Sequence, residues 1–278
     1  MRLTVLIDNN TFIDEYFIGE PAISFYLEVE DEKILFDAGY SDAFIRNAHR
    51  LGIDLTEIDM LVLSHGHLDH TWGLNHLVQL FAEKQMEGNR TEKPRLIAHP
   101  DVFASRFYGS CEEIGSLLKE DTLSRFFNIE LSRQPVNLTS RLLYLGQIER
   151  LNDYEAQQPI GTVHLNGKDI PDMILDDTAL AYRADQGLVV ITGCSHSGIC
   201  NIVEYARKLT GVRKIVDIIG GFHLLDTPEK QMGETKAFFE ALAPERVYAC
   251  HCTDLKAKIE LAQVVNVQEV GSGLSLEY

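Results

Sequence analysis

Within six residues the chain places four groups able to bind a divalent cation: His65, His67, Asp69 and His70, in the run Ser64-His65-Gly66-His67-Leu68-Asp69-His70-Thr71-Trp72-Gly73. Imidazole nitrogens and a carboxylate are what zinc, iron or manganese accept. The apolar run from Ile58 to Leu63 reads as a short buried strand, and Leu74, Leu77, Val78 and Phe81 repeat with helical period. The four groups therefore sit in a turn between a strand end and a helix start. Such a turn can bend His65 and His67 onto one ion and Asp69 and His70 onto a second. The alternative is a histidine-rich surface turn, which has no need of this spacing behind a buried strand.

The elements that must position these groups are legible on either side. Residues 2–7 alternate and end at Asp8-Asn9-Asn10. Ile23, Phe25, Leu27 and Val29 share one face of a strand over 22–29, and Lys33–Phe36 returns to Asp37-Ala38-Gly39. A helix follows from Ser41 to Leu51. Pro94–Ala98 is a strand ending at His99-Pro100-Asp101. In the second half, strands at 176–182, 188–192, 214–219 and 246–249 are separated by helices at 199–209 and 229–242. The last three of these strands run into Cys194-Ser195-His196, Phe222-His223 and His251-Cys252.

Val102 to about Phe127 reads as helix interrupted at Gly109-Ser110. Its aromatic residues suit core packing better than a substrate mouth, and they are also a candidate homodimer surface. Residues 146–175 have little periodicity and are read as a lid. Each half is strands followed by alternating helix and strand. That predicts an α/β protein with two packed sheets and helices outside, a single αββα sandwich over residues 1–278, with the metal site where strand ends meet.

Composition narrows the partners. The 42 acidic residues outnumber 25 basic ones, for a formal charge of −17. A surface that acidic argues against phosphate-backbone recognition, so no nucleic acid is expected, and it disfavours anionic membranes. The five cysteines form no CxxC pair, which argues against a disulfide framework. Apolar stretches are short and interrupted, and a cytoplasmic protein acting on a small molecule is expected.

The His-x-His-x-Asp-His run after a strand resembles the signature of the metallo-β-lactamase superfamily. Leu35-Phe36-Asp37-Ala38-Gly39, Gly193-Cys194-Ser195-His196, Gly220-Gly221-Phe222-His223 and Cys250-His251-Cys252 are similar to its other strand ends. Leu6-Ile7-Asp8-Asn9-Asn10 resembles a narrower group that includes the dihydropterin–ribofuranosylaminobenzene-phosphate synthases.

The resemblance implies that His65 and His67 bind one ion, and Asp69 and His70 the second. Cys194 stands where relatives carry a bridging aspartate. The usual third histidine of the first ion is replaced near 174–180 by Asp176-Asp177, which leaves His196 as its substitute and His99 as a weaker one. Cys194 is either a thiolate ligand or an inert small core residue. His223 and His251 compete for the last position. The superfamily ordering makes His251 the ligand and leaves His223 facing substrate, as proton donor or phosphate partner. Candidate catalytic residues are then Asp69 and His223. Asp37 orients a ligand from behind. Asp8, Asn9 and Phe222 are candidate substrate contacts, and His49, His76 and His164 read as surface residues.

The chemistry implied is that of a metal-dependent hydrolase or transferase with two divalent ions, zinc favoured and iron or manganese the alternatives. Its substrate is expected to be small and phosphorylated, and the narrower resemblance points to a pterin. Phosphodiester or lactone hydrolysis is the neighbouring reading. A di-iron redox protein of this fold would replace a signature histidine by glutamate and add a flavin domain, whereas His67 is intact.

Overall fold

Alternation of apolar residues divides the strands between two faces, and that division builds the molecule. In the computed structural model, which describes residues 1–89 and 92–278, Phe25, Leu27, Ile34 and Phe36 point into a core shared with Leu180, Tyr182, Val189 and Ile191. Their neighbours Tyr26 and Leu35 point the other way, onto Phe44, Leu77 and Phe81. Leu188 and Val190 likewise face Ile202, Val203 and Phe239. Two sheets packed face to face, each covered outside by helices, follow directly.

The first sheet joins β1 (Arg2–Ile7), β2 (Ser24–Val29), β3 (Glu32–Phe36), β4 (Met60–Val62), β5 (Arg95–Ala98), β7 (Asn128–Leu131) and β16 (Ser275–Glu277), in the order β16-β1-β2-β3-β4-β5-β7. The second joins β8 (Val136–Asn137), β9 (Leu142–Tyr144), β12 (Ala179–Ala184), β13 (Gly187–Thr192), β14 (Ile215–Gly221) and β15 (Arg246–Cys250), in the order β15-β14-β13-β12-β9-β8. Both sheets change from antiparallel to parallel pairing along their width. In the first, β3, β4, β5 and β7 are parallel; in the second, β13, β14 and β15 are. Parallel strands need crossover connections. These are supplied by α1 (Ala43–Arg50), α3 (Leu74–Met86), α5 (Ile199–Thr210) and α6 (Glu229–Leu242). The C-terminal ends of parallel strands open onto one crevice, where open α/β sheets bind ligands.

Three sequence expectations change. Residues 102–127 are mostly irregular: they hold β6 (Ser105–Phe107) and the short α4 (Glu120–Leu123) instead of a long helix. The reason is Arg106, which is buried with its guanidinium bonded to Asp172, so the segment is drawn out as a strand against β10 (Thr162–Leu165). Phe103 and Phe127 pack in the core, whereas Tyr108 and Leu117 are exposed.

Residues 146–175 contain a hairpin of β10 with β11 (Lys168–Pro171). Its turn is Asn166-Gly167, with φ of 52° and 75°, the two-residue connection that favours Asn-Gly. The stretch before it is tied to α5, since Leu151 and Asn152 donate backbone N–H to Asn201 Oδ1, and Glu155 accepts from the Cys200 and Asn201 amides.

β12 begins at Ala179, so Asp176–Thr178 are not strand. Among the described residues the remaining α-helices are the one-turn α2 (Leu68–Thr71), which carries Asp69 and His70, and α7 (Leu255–Leu261). Among the described residues no helix is long and apolar enough to cross a membrane.

Candidate metal centre

The histidines and cysteines that end β4, β13 and β15 converge between the sheets. Two groups of ligand atoms form there, each with its members within 4.8 Å of one another: His65, Cys194 and His196 in one, and Asp69, His70, Cys194 and His251 in the other. His67 adjoins the first, with its Nδ1 3.0 Å from His65 Nε2. The His67 and His196 rings stand 4.9 Å apart and nearly perpendicular. Cys194 Sγ lies 3.1 Å from His70 Nε2 and 3.1 Å from His251 Nε2, and Asp69 Oδ2 lies 3.2 Å from His251 Nε2. Cys194 thus belongs to both groups.

Hydrogen bonds behind the ligands fix which nitrogen faces the centre. Asp37 accepts from the Ser64 amide (2.7 Å) and from Ser64 Oγ (2.6 Å), and its Oδ2 lies 2.7 Å from His70 Nδ1. Ser64 Oγ in turn lies 3.0 Å from His65 Nδ1. With Nδ1–H of His65 and His70 donated backwards, each Nε2 lone pair points inward. His251 follows the same pattern, with Nδ1 3.2 Å from Asn9 Oδ1. Asp8, fully buried, accepts the His251 amide at 2.8 Å. Asp8 and Asn9 therefore stand behind His251.

Electrostatics separates the two groups. Burial, reinforced by neighbouring imidazoles, holds His65 and His196 well below the ordinary histidine value. Burial also brings His67 down to about 4, against a partial lift from Asp69. Burial lowers His70 too, but the Asp69 and Asp37 carboxylates outweigh it and raise it to about 9. Burial opposes ionisation of Asp69, yet His70 and His251 overcome it and hold the carboxyl below its usual range. The Cys194 thiol is pushed up by burial.

Four residues here adopt the left-handed region despite carrying side chains: Asp37 (φ 61°), Ser195 (φ 61°), His223 (φ 50°) and His251 (φ 49°). Such conformations persist where the surroundings dictate them. The side chains fit divalent cations. Imidazole nitrogen, thiolate and carboxylate are a borderline-ion donor set, and both ring nitrogens of His196 are buried without a hydrogen-bond partner.

Beside the centre lies a cavity of about 350 Å³, walled by Tyr154, Gln157, His196, His223, Thr227 and Lys230. His223 is in neither ligand group. Its ring sits 4.3 Å from that of His196, and its Nδ1 is buried without a partner. Cys252 Sγ accepts the His223 amide at 3.2 Å. Phe222 contributes to the cavity wall while its ring stacks on Phe239. His99 lies outside both groups, bonded to Gln147, and His49, His76 and His164 are at the surface. Sequence reasoning missed Ser64, Cys252, Arg106 and Asp172. Ser64 had a signal in its place at the strand end; Arg106 had none, because its carboxylate partners lie 66 or more residues away.

Comparison with known proteins agrees with this architecture. Residues 19–207 match the family model of the metallo-β-lactamase superfamily. The chain is 32% identical over 272 residues to the 7,8-dihydropterin-6-methyl-4-(β-D-ribofuranosyl)-aminobenzene-5'-phosphate synthase of Methanocaldococcus jannaschii, covering 93% of this chain and 89% of that protein. An uncharacterised protein of the same organism is 29% identical, over 95% of each chain. Among solved structures, Tm1679, described as a metal-dependent hydrolase of the β-lactamase superfamily, superposes with a TM-score of 0.83 at 28% identity, over 100% of this chain and 99% of that one. This chain belongs to the metallo-β-lactamase superfamily.

Proposed function

We propose that the protein is an enzyme with a two-metal centre, zinc favoured, that transfers a dihydropterin-type group to an arylamine. His65, His67 and His196 would hold the first ion and Asp69, His70 and His251 the second, with the Cys194 thiol within reach of both. Divalent ions bound there supply Lewis acidity and ease deprotonation of water. The likeness to the synthase supports the substrate class, because its name describes a dihydropterin 6-methyl group joined to an aminobenzene riboside phosphate. In such a transfer the carbon–nitrogen bond forms as a leaving group departs from the pterin methylene.

One observation carries the reading: His223 Nδ1 is buried, unpartnered and beside a cavity that also reaches the ligand His196. From there His223 gives a proton to the departing group or holds its phosphate. Its imidazole is suited to the task because the adjacent Cys252 side chain raises it above the ordinary value, against the opposing effect of burial. Asp69 stays ionised beside the reacting centre, and Tyr154, Gln157 and Ile160 line one side of the cavity.

Hydrolysis is the second reading, supported by the likeness to Tm1679. The deciding experiment counts ions per chain in purified protein, then incubates it with a dihydropterin bearing a diphosphate on its 6-methylene and an aminobenzene riboside 5'-phosphate. Mass spectrometry showing the coupled product supports transfer. Only the hydrolysed pterin, or turnover of aryl phosphodiesters and lactones instead, assigns a hydrolase. Two irons per chain would revive the redox reading.

A further inference from the structure

We propose that Asp176-Asp177-Thr178 is a clasp that sets the separation of the two ligand turns around the first ion, with Arg106 holding the clasp in place. The inference rests on the reading of His65, His67 and His196 as that ion's ligands. Those ligands come from opposite sheets. His65 and His67 leave β4, and His196 leaves β13, so nothing nearby in sequence sets their distance.

Three consecutive residues reach both turns. Asp176 Oδ2 accepts the amide of Gly66, between the first two histidines, at 2.8 Å. Asp177 Oδ2 accepts the amide of Ser197, next to His196, at 2.8 Å. Thr178 donates its amide to the carbonyl of Ser64, just before His65, at 3.0 Å. All three residues are buried. One short segment thus hydrogen-bonds the chain on both sides of His65 and the chain beside His196.

The clasp is itself fixed. Arg106 Nη2 lies 2.7 Å from Asp176 Oδ1, and Arg106 Nε donates to Asp172 Oδ2 at 2.9 Å. The guanidinium also donates to the carbonyl of Val102. The approach demands glycine at 66, since a Cβ there would stand 2.1 Å from the Val102 carbonyl oxygen and 2.2 Å from Arg106 Nη1.

Burying a guanidinium between two carboxylates is a poor way to gain stability compared with apolar packing. It is a good way to specify position, because the planar fork fixes each carboxylate in direction as well as distance. The carboxylates then hold ligand turns through backbone amides, and so act on the imidazoles without touching the ion. Asp176 and Asp177 are positioning residues.

The test measures zinc and cobalt(II) binding by chelator competition, and His196→Ala and His251→Ala, each lacking an imidazole of one group only, assign each binding step to the first or the second ion. Asp177→Ala is expected to weaken the first ion about 10- to 100-fold, as for other groups behind a ligand, and leave the second within about threefold. Asp177→Asn keeps an oxygen for the Ser197 amide and should restore the first ion to within about threefold of the parent.

His196→Ala serves as the control and should remove one ion. If it removes none, the ligand reading fails and the clasp with it. If His196→Ala removes one ion while Asp177→Ala binds both as the parent does, or loses both equally, the clasp is overturned and the ligand reading stands. Should Asp177→Ala not fold, amide hydrogen exchange on the metal-free parent decides. Gly66 and Ser197 should be protected like core strands, and loop-like exchange at both overturns the proposal.

Discussion

The two ligand groups share Cys194 but differ in charge. The first gathers three imidazoles that burial keeps neutral, two from a single turn and one from the opposite sheet. The second surrounds its position with a carboxylate and two imidazoles, one of them tied to the buried Asp37. A neutral set needs no proton removed before a cation enters. A set organised by carboxylates attracts the cation more strongly, but it attracts protons as well. One crevice therefore holds two positions that differ in how strongly acid competes with the cation.

Removing what they share should have the largest effect. Cys194→Ala deletes a thiol common to both groups, so both ions are expected to weaken, with activity down at least 10³-fold by analogy with loss of an essential group. Ion counting and turnover on the same preparations check this. Cys194→Asp puts a carboxylate in the place of the thiol, and it should recover two ions while abolishing thiolate-to-cobalt charge transfer. Full retention of both ions in Cys194→Ala would mean that the thiol is a core residue, not a bridge.

Next comes the residue that adjoins the first group without joining it. His223→Ala is expected to keep both ions and lose about 10²- to 10⁴-fold in turnover, the usual range for a general acid. If ions are lost from His223→Ala but not from His251→Ala, the two histidines have exchanged roles.

How far the sequence foretold this contrast depends on the range of each interaction. His65, His67, Asp69 and His70 are close in the chain and follow a strand end, so spacing alone brings them together. The αββα layering was equally legible, because the alternation within β2 and the continuous apolar run of β13 are local properties. The pairing of His196 with His65 came only through resemblance, since it depends on how two sheets meet. The long helix expected over 102–127 failed for the same reason. Local propensity favoured helix there, whereas Arg106 is drawn to Asp172 and Asp176 far along the chain. Asn166-Gly167 carried a turn signal that the reading of 146–175 as irregular passed over.

Acid sensitivity sharpens the comparison further. His70, raised from 6.5 to about 9 in the metal-free protein, must release a proton before Nε2 can bind, while His67 at about 4 is already free. Cys194 loses its proton for either ion and so cancels in the difference. Between about pH 7 and pH 9 the second ion's affinity should rise more steeply than the first's, by about tenfold per unit, and run parallel to it above 9. Chelator competition across that range measures it. The same shift has a consequence for the metal-free fold. A histidine raised on folding stabilises below its unfolded value and loses that stabilisation as pH rises through the folded one. His70's own contribution to metal-free stability should therefore fall from about pH 6.5 to 9, read as the melting-temperature difference between the parent and His70→Gln across that range.

The smallest effect should come from behind His251. Asp8 accepts the His251 amide and, through its other oxygen, the Asn10 amide at 2.9 Å, so it fixes the backbone that aims the ring without reaching the centre. Asp8→Asn keeps one acceptor but replaces the other by a donor facing a backbone N–H. The His251 turn must then shift or leave that amide unpaired. Because only one of the second ion's ligands is disturbed, its affinity should drop by about tenfold, the low end for groups that orient a ligand, with the first ion unaffected. An equal loss at both positions would show that Asp8 supports the crevice as a whole, and would remove the distinction between the groups at this point.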